Sequence, residues 1–327
     1  MIDFTALLAE TNAYRTIKGD RDNNRLSHAY LILSADGDNL TEYLKIFASL
    51  MVCQDGSPCG KCRRCKLMSE NLFPDAFLFP KNGVSVLADD INDLIEESFV
   101  KPIEGDKKIF IISHAETMNA SAQNKLLKTL EEPPSGVHLI LGATSEFALL
   151  STVKSRVKKL EIPAFSNEKL FSVLKNDYPD AKRLDTAIAC GDGTVGKAVR
   201  LYGDEKLVGI TDLVVDTLVN MNSSKDVLDY TEKILSVCQD PSEFFSVLEL
   251  ALRDMLAVKE NASDTVANKG VAERLADTQN FCTGAIINAL EKINQAEKRK
   301  KFNANPTMLI EWLLFQILEG KYKWQKL

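Results

Sequence analysis

The chain has 327 residues, of which 45% are hydrophobic and 26% charged, the make-up of an ordinary soluble globular protein long enough for two or three domains. Forty Lys and Arg against 46 Asp and Glu leave a net charge of −6, which excludes a grip on DNA through bulk electrostatics and leaves only a local patch or partner subunits for such contact. No apolar run reaches membrane-spanning length, Met1-Ile-Asp-Phe lacks the basic and apolar regions of a secretory signal, and seven cysteines with four clustered favour a reducing cytoplasm over a disulfide framework.

Taken in chain order, short apolar runs predict strands at Ala29–Ser34, Ala76–Pro80, Lys108–Ser113, Val137–Ala143 and Lys158–Ile162. Ile109-Phe110-Ile111-Ile112 is apolar without alternation, as a strand buried on both faces must be. Between them, Leu87, Ile91, Leu94, Ile95 and Ser98 fall on one side of a helix over Leu87–Ser98. Ala122, Leu126, Leu127 and Leu130 do the same over Asn119–Glu132, with Asn119 as N-cap and Pro133-Pro134 as the stop. Strands alternating with helices imply a parallel α/β sheet.

After Pro163 the strand signals cease. Asn167–Asn176, Asp180–Cys190 and Thr194–Tyr202 read as three short helices. Beyond a second boundary near Gly203-Asp204, helices are expected at Lys206–Asn222, Lys225–Val237, Pro241–Asn261, Thr265–Ala276, Cys282–Lys300 and Pro306–Leu318. Pro241 and Pro306 stand where a first-turn proline is tolerated. The basic run Lys298-Arg299-Lys300-Lys301 closes a helix, where cations favour the dipole, and reads as a solvated end.

Cys53, Cys59, Cys62 and Cys65 give the spacing C-x5-C-x2-C-x2-C. Zinc takes four soft ligands at ~2.3 Å, and C-x2-C turns supply them with little chain. Gly56, Pro58 and Gly60 permit the tight turns, and Lys61, Arg63, Arg64 and Lys66 would offset the charge of four thiolates. An iron–sulfur site would place its fourth cysteine downstream, and a redox pair would want a thioredoxin-like context. Structural zinc is therefore preferred, ahead of metal-free thiols. Cys190, Cys238 and Cys282 are scattered on helical patterns as core residues.

A phosphate loop needs G-x-x-x-x-G-K-[ST] between a strand and a helix. At that register the chain reads Ser34-Ala35-Asp36-Gly37-Asp38-Asn39-Leu40-Thr41. Ser34 and Asn39 replace the outer glycines, Leu40 replaces the lysine, and only Thr41 matches. Asp36 and Asp38 put negative charge where a triphosphate would sit, so no ATP binding is expected. A second stretch, Gly191-Asp192-Gly193-Thr194-Val195-Gly196-Lys197, fits the glycine and lysine spacing. It is followed by Ala198 and preceded by a helical pattern, so it reads as a turn. After the third strand, Ser113 and His114 stand where an ATPase would carry acids for magnesium and water. Arg156 falls in the turn before the last strand, a place where an arginine is usually a surface residue.

These residues, with Leu26-Ser27-His28-Ala29-Tyr30, Lys101-Pro102-Ile103-Glu104-Gly105, Asn124-Lys125-Leu126-Leu127-Lys128-Thr129-Leu130-Glu131-Glu132-Pro133-Pro134 and Asn303–Leu314, make the chain similar to the delta-prime family of bacterial DNA polymerase III clamp-loader subunits, within the AAA+ proteins. The resemblance spans nearly the whole chain. It implies an AAA+ α/β domain over residues 1–165 with the zinc module at 50–70, a helical lid over 166–204 and a helical collar for oligomerisation over 205–327. The family's Ser-Arg-Cys motif falls on Ser155, Arg156 and Val157, with valine replacing the cysteine. In the family that arginine acts in trans on the ATP of a neighbouring subunit. The implied partners are the gamma/tau ATPase subunits and the delta subunit, with the sliding clamp and primer-template DNA reached through the complex, and no membrane. Two other readings are an active gamma/tau-type ATPase, opposed by Leu40, Ser113 and His114, and a zinc-containing DNA-binding regulator, opposed by the acidic balance.

Overall fold

The computed structural model describes residues 2–323 other than 84, 205, 239, 263–265, 276–280 and 301–303. Its contacts divide the chain into two compact units, one holding residues up to Lys169 together with Thr194–Gly196, the other Leu170–Gly193 and Lys197 onward.

The first unit is built on five strands, β1 (Ala29–Ser34), β2 (Ala76–Phe79), β3 (Lys108–Ile112), β4 (Val137–Ala143) and β5 (Lys158–Ile162). All pair parallel, in the order β2-β3-β4-β1-β5. The five-stranded parallel sheet expected from the sequence is therefore present, with two strands ending one residue early. Its helices are α1 (Phe4–Leu8), α2 (Asn12–Asp22), α3 (Leu40–Val52), α4 (Arg63–Ser69), α5 (Ala88–Ser98), α6 (Ala120–Glu131) and α7 (Ser151–Lys154).

Period-2 alternation of the strands builds two cores, one on each face. Tyr30, Ile32, Ile109, Ile111 and Ile140 pack with Leu40, Leu44 and Phe47 of α3 and with Tyr14 and Ile17 of α2. Ala29, Leu31, Phe110, Ile112, Leu139 and Leu141 pack with Ile91 and Leu94 of α5 and Leu126 and Leu130 of α6. Covered on both faces, a strand must be apolar throughout, which explains the unbroken run in β3. At Gly142 of β4 a Cβ would lie 2.5 Å from Leu44 Cδ1, so any larger residue there would force Leu44 and Leu40 of α3 to repack.

Asn119 caps α6 as expected, its side chain accepting from the N–H of Ala122 at 2.8 Å. Leu87 stands at the N-cap of α5, its own N–H donating to Asp90 Oδ2 at 2.9 Å.

The second unit is helical: α8 (Asn167–Leu174, which begins in the first unit), α9 (Ala181–Ala189), α10 (Val195–Gly203, likewise), α11 (Lys206–Asn220), α12 (Ser224–Val237), α13 (Pro241–Lys259), α14 (Lys269–Leu275), α15 (Thr283–Lys300) and α16 (Pro306–Lys323). One apolar core joins α9 through α16, with Phe244, Phe245, Leu248 and Leu252 of α13, Ile286, Ala289 and Ile293 of α15 and Ile310, Leu313, Leu314 and Ile317 of α16. Pro241 and Pro306 begin α13 and α16 as read from the sequence. The last helix runs beyond Leu318 to Lys323, because Lys321 turns inward and donates to the carbonyls of Leu218 (3.1 Å) and Met221 (2.9 Å). Both ends of the helix expected at Thr265–Ala276, Lys301 of the basic run and Asn303 of the family segment lie outside the described residues.

Candidate functional site

The C-terminal ends of β1, β3 and β4 bring Ser34, Ser113 and Thr144 to one edge of the sheet, where ligands bind in open parallel sheets. The loop Ser34–Asn39, which the sequence reading compares with a phosphate loop, lies here and leads into α3. Leu40, standing in the lysine slot, is fully buried and packs toward Gly142 in the core. Thr41 Oγ1 lies 2.7 Å from Ser113 Oγ, so the one loop residue that matches its slot is paired with the serine read as standing in place of an acid. Thr144 donates from Oγ1 to Glu116 Oε1 at 2.7 Å and from its N–H at 3.2 Å. His114 holds a left-handed backbone (φ 54°) and places Nδ1 3.4 Å from the same Glu116 oxygen.

Asp36 departs from expectation. The sequence places its charge where it would repel a triphosphate. In the structure the side chain is 3% exposed and turned onto its own chain. Its carboxylate accepts from Tyr43 Oη at 2.7 Å, from Asn39 Nδ2 at 3.2 Å, and from the N–H groups of Val195 (3.0 Å) and Gly196 (3.2 Å). Burial, with the Asp36 carboxylate beside it, drives the Tyr43 phenol far above its usual range. Asn39, at the N-cap of α3, makes no side-chain cap because its amide is committed to Asp36. In the stretch Gly191–Lys197 only the residues up to Thr194 form a turn between α9 and α10, while Val195–Lys197 open α10. Sequence reasoning had no signal that its last residues meet Asp36, some 160 positions away.

Arg156 follows α7 and is one-third exposed. It pairs with Glu131 at 2.6 Å and donates from Nη1 to the Thr152 carbonyl at 2.8 Å and Ser155 Oγ at 3.3 Å. Ser155 Oγ in turn donates to Thr152 at 3.1 Å. Val157 packs on the core formed with α5 and α6. The loop that leads into α7 is held by Gln123 of α6, which is 2% exposed. Its Nε2 donates to the carbonyls of Met118 and Ala148, and its Oε1 accepts from the Leu150 N–H at 2.7 Å. Gln123 immediately precedes the segment Asn124–Pro134, yet nothing in its local sequence sets it apart.

At the other end of the sheet the four cysteines converge. Cys53 ends α3 and Cys62 caps α4. All four sulfurs lie within 4.8 Å of one another, with Cys53–Cys62 at 4.0 Å and Cys59–Cys65 at 3.9 Å. Sulfurs ~2.3 Å from a tetrahedral zinc would stand roughly 3.8 Å apart, so the donor set fits that ion, and these separations are about twice a disulfide bond length. The N–H groups of Cys62 and Cys65 donate to the sulfurs of Cys59 (3.3 Å) and Cys62 (3.4 Å). Burial pushes the Cys62 thiol up, but the Cys65 N–H and the neighbouring sulfurs outweigh it and bring it to about 7. Burial drives Cys65 well above the usual thiol range.

Two of the four basic residues of this module have other partners. Arg64 donates to the carbonyls of Val52 (3.2 Å) and Glu104 (2.8 Å), and Arg63 pairs with Glu104 at 2.6 Å. The segment Lys101–Gly105 is thereby joined to the module. Asp75, fully buried, secures it from the other side by accepting from the N–H groups of Ile103 (2.7 Å) and Glu104 (2.6 Å).

Residues 9–166 match the family described as DNA polymerase III, delta subunit. The chain is 28% identical over 313 residues to the DNA polymerase III subunit delta' of Bacillus subtilis (strain 168), covering 91% of this chain and 93% of that protein. It is 23% identical over 358 residues to the tau subunit of the same organism, covering 98% of this chain but 62% of that protein. To the delta' subunit of Yersinia pestis it is 32% identical over 148 residues, 44% of each chain. Among solved structures, a gamma subunit-related protein from Thermotoga maritima aligns over 94% of this chain and 99% of its own, with 18% identity and a TM-score of 0.40.

Proposed function

We propose that the chain, whose residues 9–166 match the DNA polymerase III delta-subunit model and which is 28% identical to a delta' subunit over 91% of its length, is a clamp-loader subunit of the delta' kind that binds no ATP itself and supplies Arg156, with Ser155 beside it, to the ATP site of a neighbouring gamma/tau-type subunit. The delta subunit is its other partner, and the sliding clamp and primer-template DNA are reached through the complex, in the cytoplasm. Residues 166–204 act as a lid and 205–327 as the collar through which it assembles. Zinc on Cys53, Cys59, Cys62 and Cys65 holds its loop together and has no part in the chemistry.

The observation that carries this reading is Leu40. A phosphate-binding lysine must reach out of the first turn of α3 to meet its ligand. The residue in that slot is instead fully buried in the core. Arg156 supports the other half of the reading. It is partly exposed and linked to Glu131 by a surface pair, which is worth about 1 kcal/mol or less and is readily exchanged for a phosphate.

The test has two arms. The purified chain, titrated with magnesium-ATP, is expected to show no binding. Tight magnesium-dependent binding would make it an active gamma/tau-type ATPase instead. In the reconstituted complex, Arg156→Ala is expected to leave the fold intact and slow hydrolysis at the one site it serves by on the order of 10³-fold, seen as loss of that site's share of turnover. An unchanged rate would end the trans role.

A further inference from the structure

A buried carboxylate is costly unless donors surround it, and Asp36 has a full set: Tyr43 Oη, Asn39 Nδ2, and the N–H groups of Val195 and Gly196. All are neutral donors. Two of them are the free N–H groups in the first turn of α10, the groups a helix offers to a phosphate. Asp36 itself sits in the loop between β1 and α3, where a phosphate cradle would lie. The approach is close. A Cβ on Gly196 would lie 2.5 Å from Asp38 Cβ and 2.6 Å from Asp36 Oδ1, so a glycine is needed for this backbone to reach the carboxylate. Thr194–Gly196 groups with the sheet unit, apart from the residues on either side of it.

We propose that Asp36 is a tethered stand-in for a nucleotide phosphate: it fills the anion position of the degenerate loop and holds Thr194–Gly196 in a ligand-engaged arrangement with no ligand bound. This deepens the reading of a subunit that binds no ATP and rests on it. The site is then insensitive to nucleotide because it is permanently satisfied, and removing the carboxylate should restore a demand for an anion.

Amide hydrogen exchange on the full chain tests this, with inorganic phosphate as the probe. In the parent, the Val195 and Gly196 amides are protected and millimolar phosphate leaves them unchanged. In Asp36→Ala their protection falls roughly tenfold or more, as expected for loss of a charge-assisted hydrogen bond. Phosphate then restores part of it, while amides of β1, β3 and β4 stay as in the parent. Should Asp36→Ala fail to fold, the isosteric Asp36→Asn carries the same readouts with a smaller loss. Parent-like protection in the folded variant overturns the proposal. So does lost protection that phosphate does not restore, since Asp36 would then be only a structural cap. Magnesium-ATP binding by the parent would instead overturn the reading beneath it, so the two failures are distinct.

Discussion

The two ends of one sheet carry polar clusters of opposite character. At the C-terminal ends of the strands, Asp36 meets donors from its own chain, Thr41 meets Ser113 and Thr144 meets Glu116. At the N-terminal ends, beside a cleft of about 530 Å³ lined by Leu26, Cys53, Arg64, Lys107 and His138, four sulfurs converge at a spacing set for a metal. The comparison separates two ways of building a polar site. In one, Asp36, Thr41 and Ser113 find their partners within the protein, and the second oxygen of Glu116 is buried without one. The other has soft donors aimed at a common point, and its local structure depends on what they hold. Each end can be broken independently.

The largest effect belongs to the cysteine end. Structural zinc contributes about 10–16 kcal/mol of apparent binding free energy in small zinc modules, and on these four cysteines it would close a loop on the flank of a large core. The purified chain is expected to carry one zinc. Chelation or Cys62→Ser should release it and strip exchange protection from residues 50–70, with the β1–β5 amides still protected. Global unfolding on metal loss would mean that the loop is integral to the fold, and metal-free protein with an ordered loop would remove the zinc reading.

At the opposite end, Leu40→Ala should act on the core and leave ligand binding as it was. A fully buried leucine truncated to alanine costs roughly 2–5 kcal/mol, read as a lower midpoint in urea with unchanged slope. A loss below about 1 kcal/mol would show that Leu40 is not the core residue its burial indicates, and the lysine slot would be open to reinterpretation.

The strands were legible because burial on both faces forces unbroken apolar runs. Helices with a one-sided stripe, such as α5 and α6, were legible for the same kind of reason. The sequence reading gave no bounds to the helices before residue 87. In α3 the stripe is broadened by burial of Ser49, Leu50, Met51 and Val52 around most of the helix, so periodicity does not announce it. The cysteine cluster was visible because its ligands lie within 13 positions of one another and repeat a known spacing. Asp36 was visible as a charge but not as a cap, because its donors at Val195 and Gly196 come from a distant turn. Gln123 escaped for a related reason: a glutamine on a helix looks like a surface residue until the loop at 148–150 is placed against it.

The smallest expected effect sharpens the comparison from the cysteine end. His138, one residue into β4, places Nδ1 2.9 Å from the Ser27 carbonyl, to which it donates. Burial lowers its pKa below the ordinary 6.5, and the nearby Lys107 charge lowers it further, against the opposing pull of the Ser27 hydrogen bond and Asp106. The folded chain therefore resists protonation that the unfolded chain accepts. That stability is fully present above pH 6.5 and drains away as pH falls from there toward the depressed folded value. For a single proton the slope cannot exceed about 1.4 kcal/mol per pH unit. His138→Gln, which keeps a donor toward Ser27, should flatten the stability profile below pH 6.5 while changing it little at pH 8. An identical slope in parent and variant would show that His138 is protonated in the folded chain at no cost, and that this end of the sheet is wetter than its packing indicates.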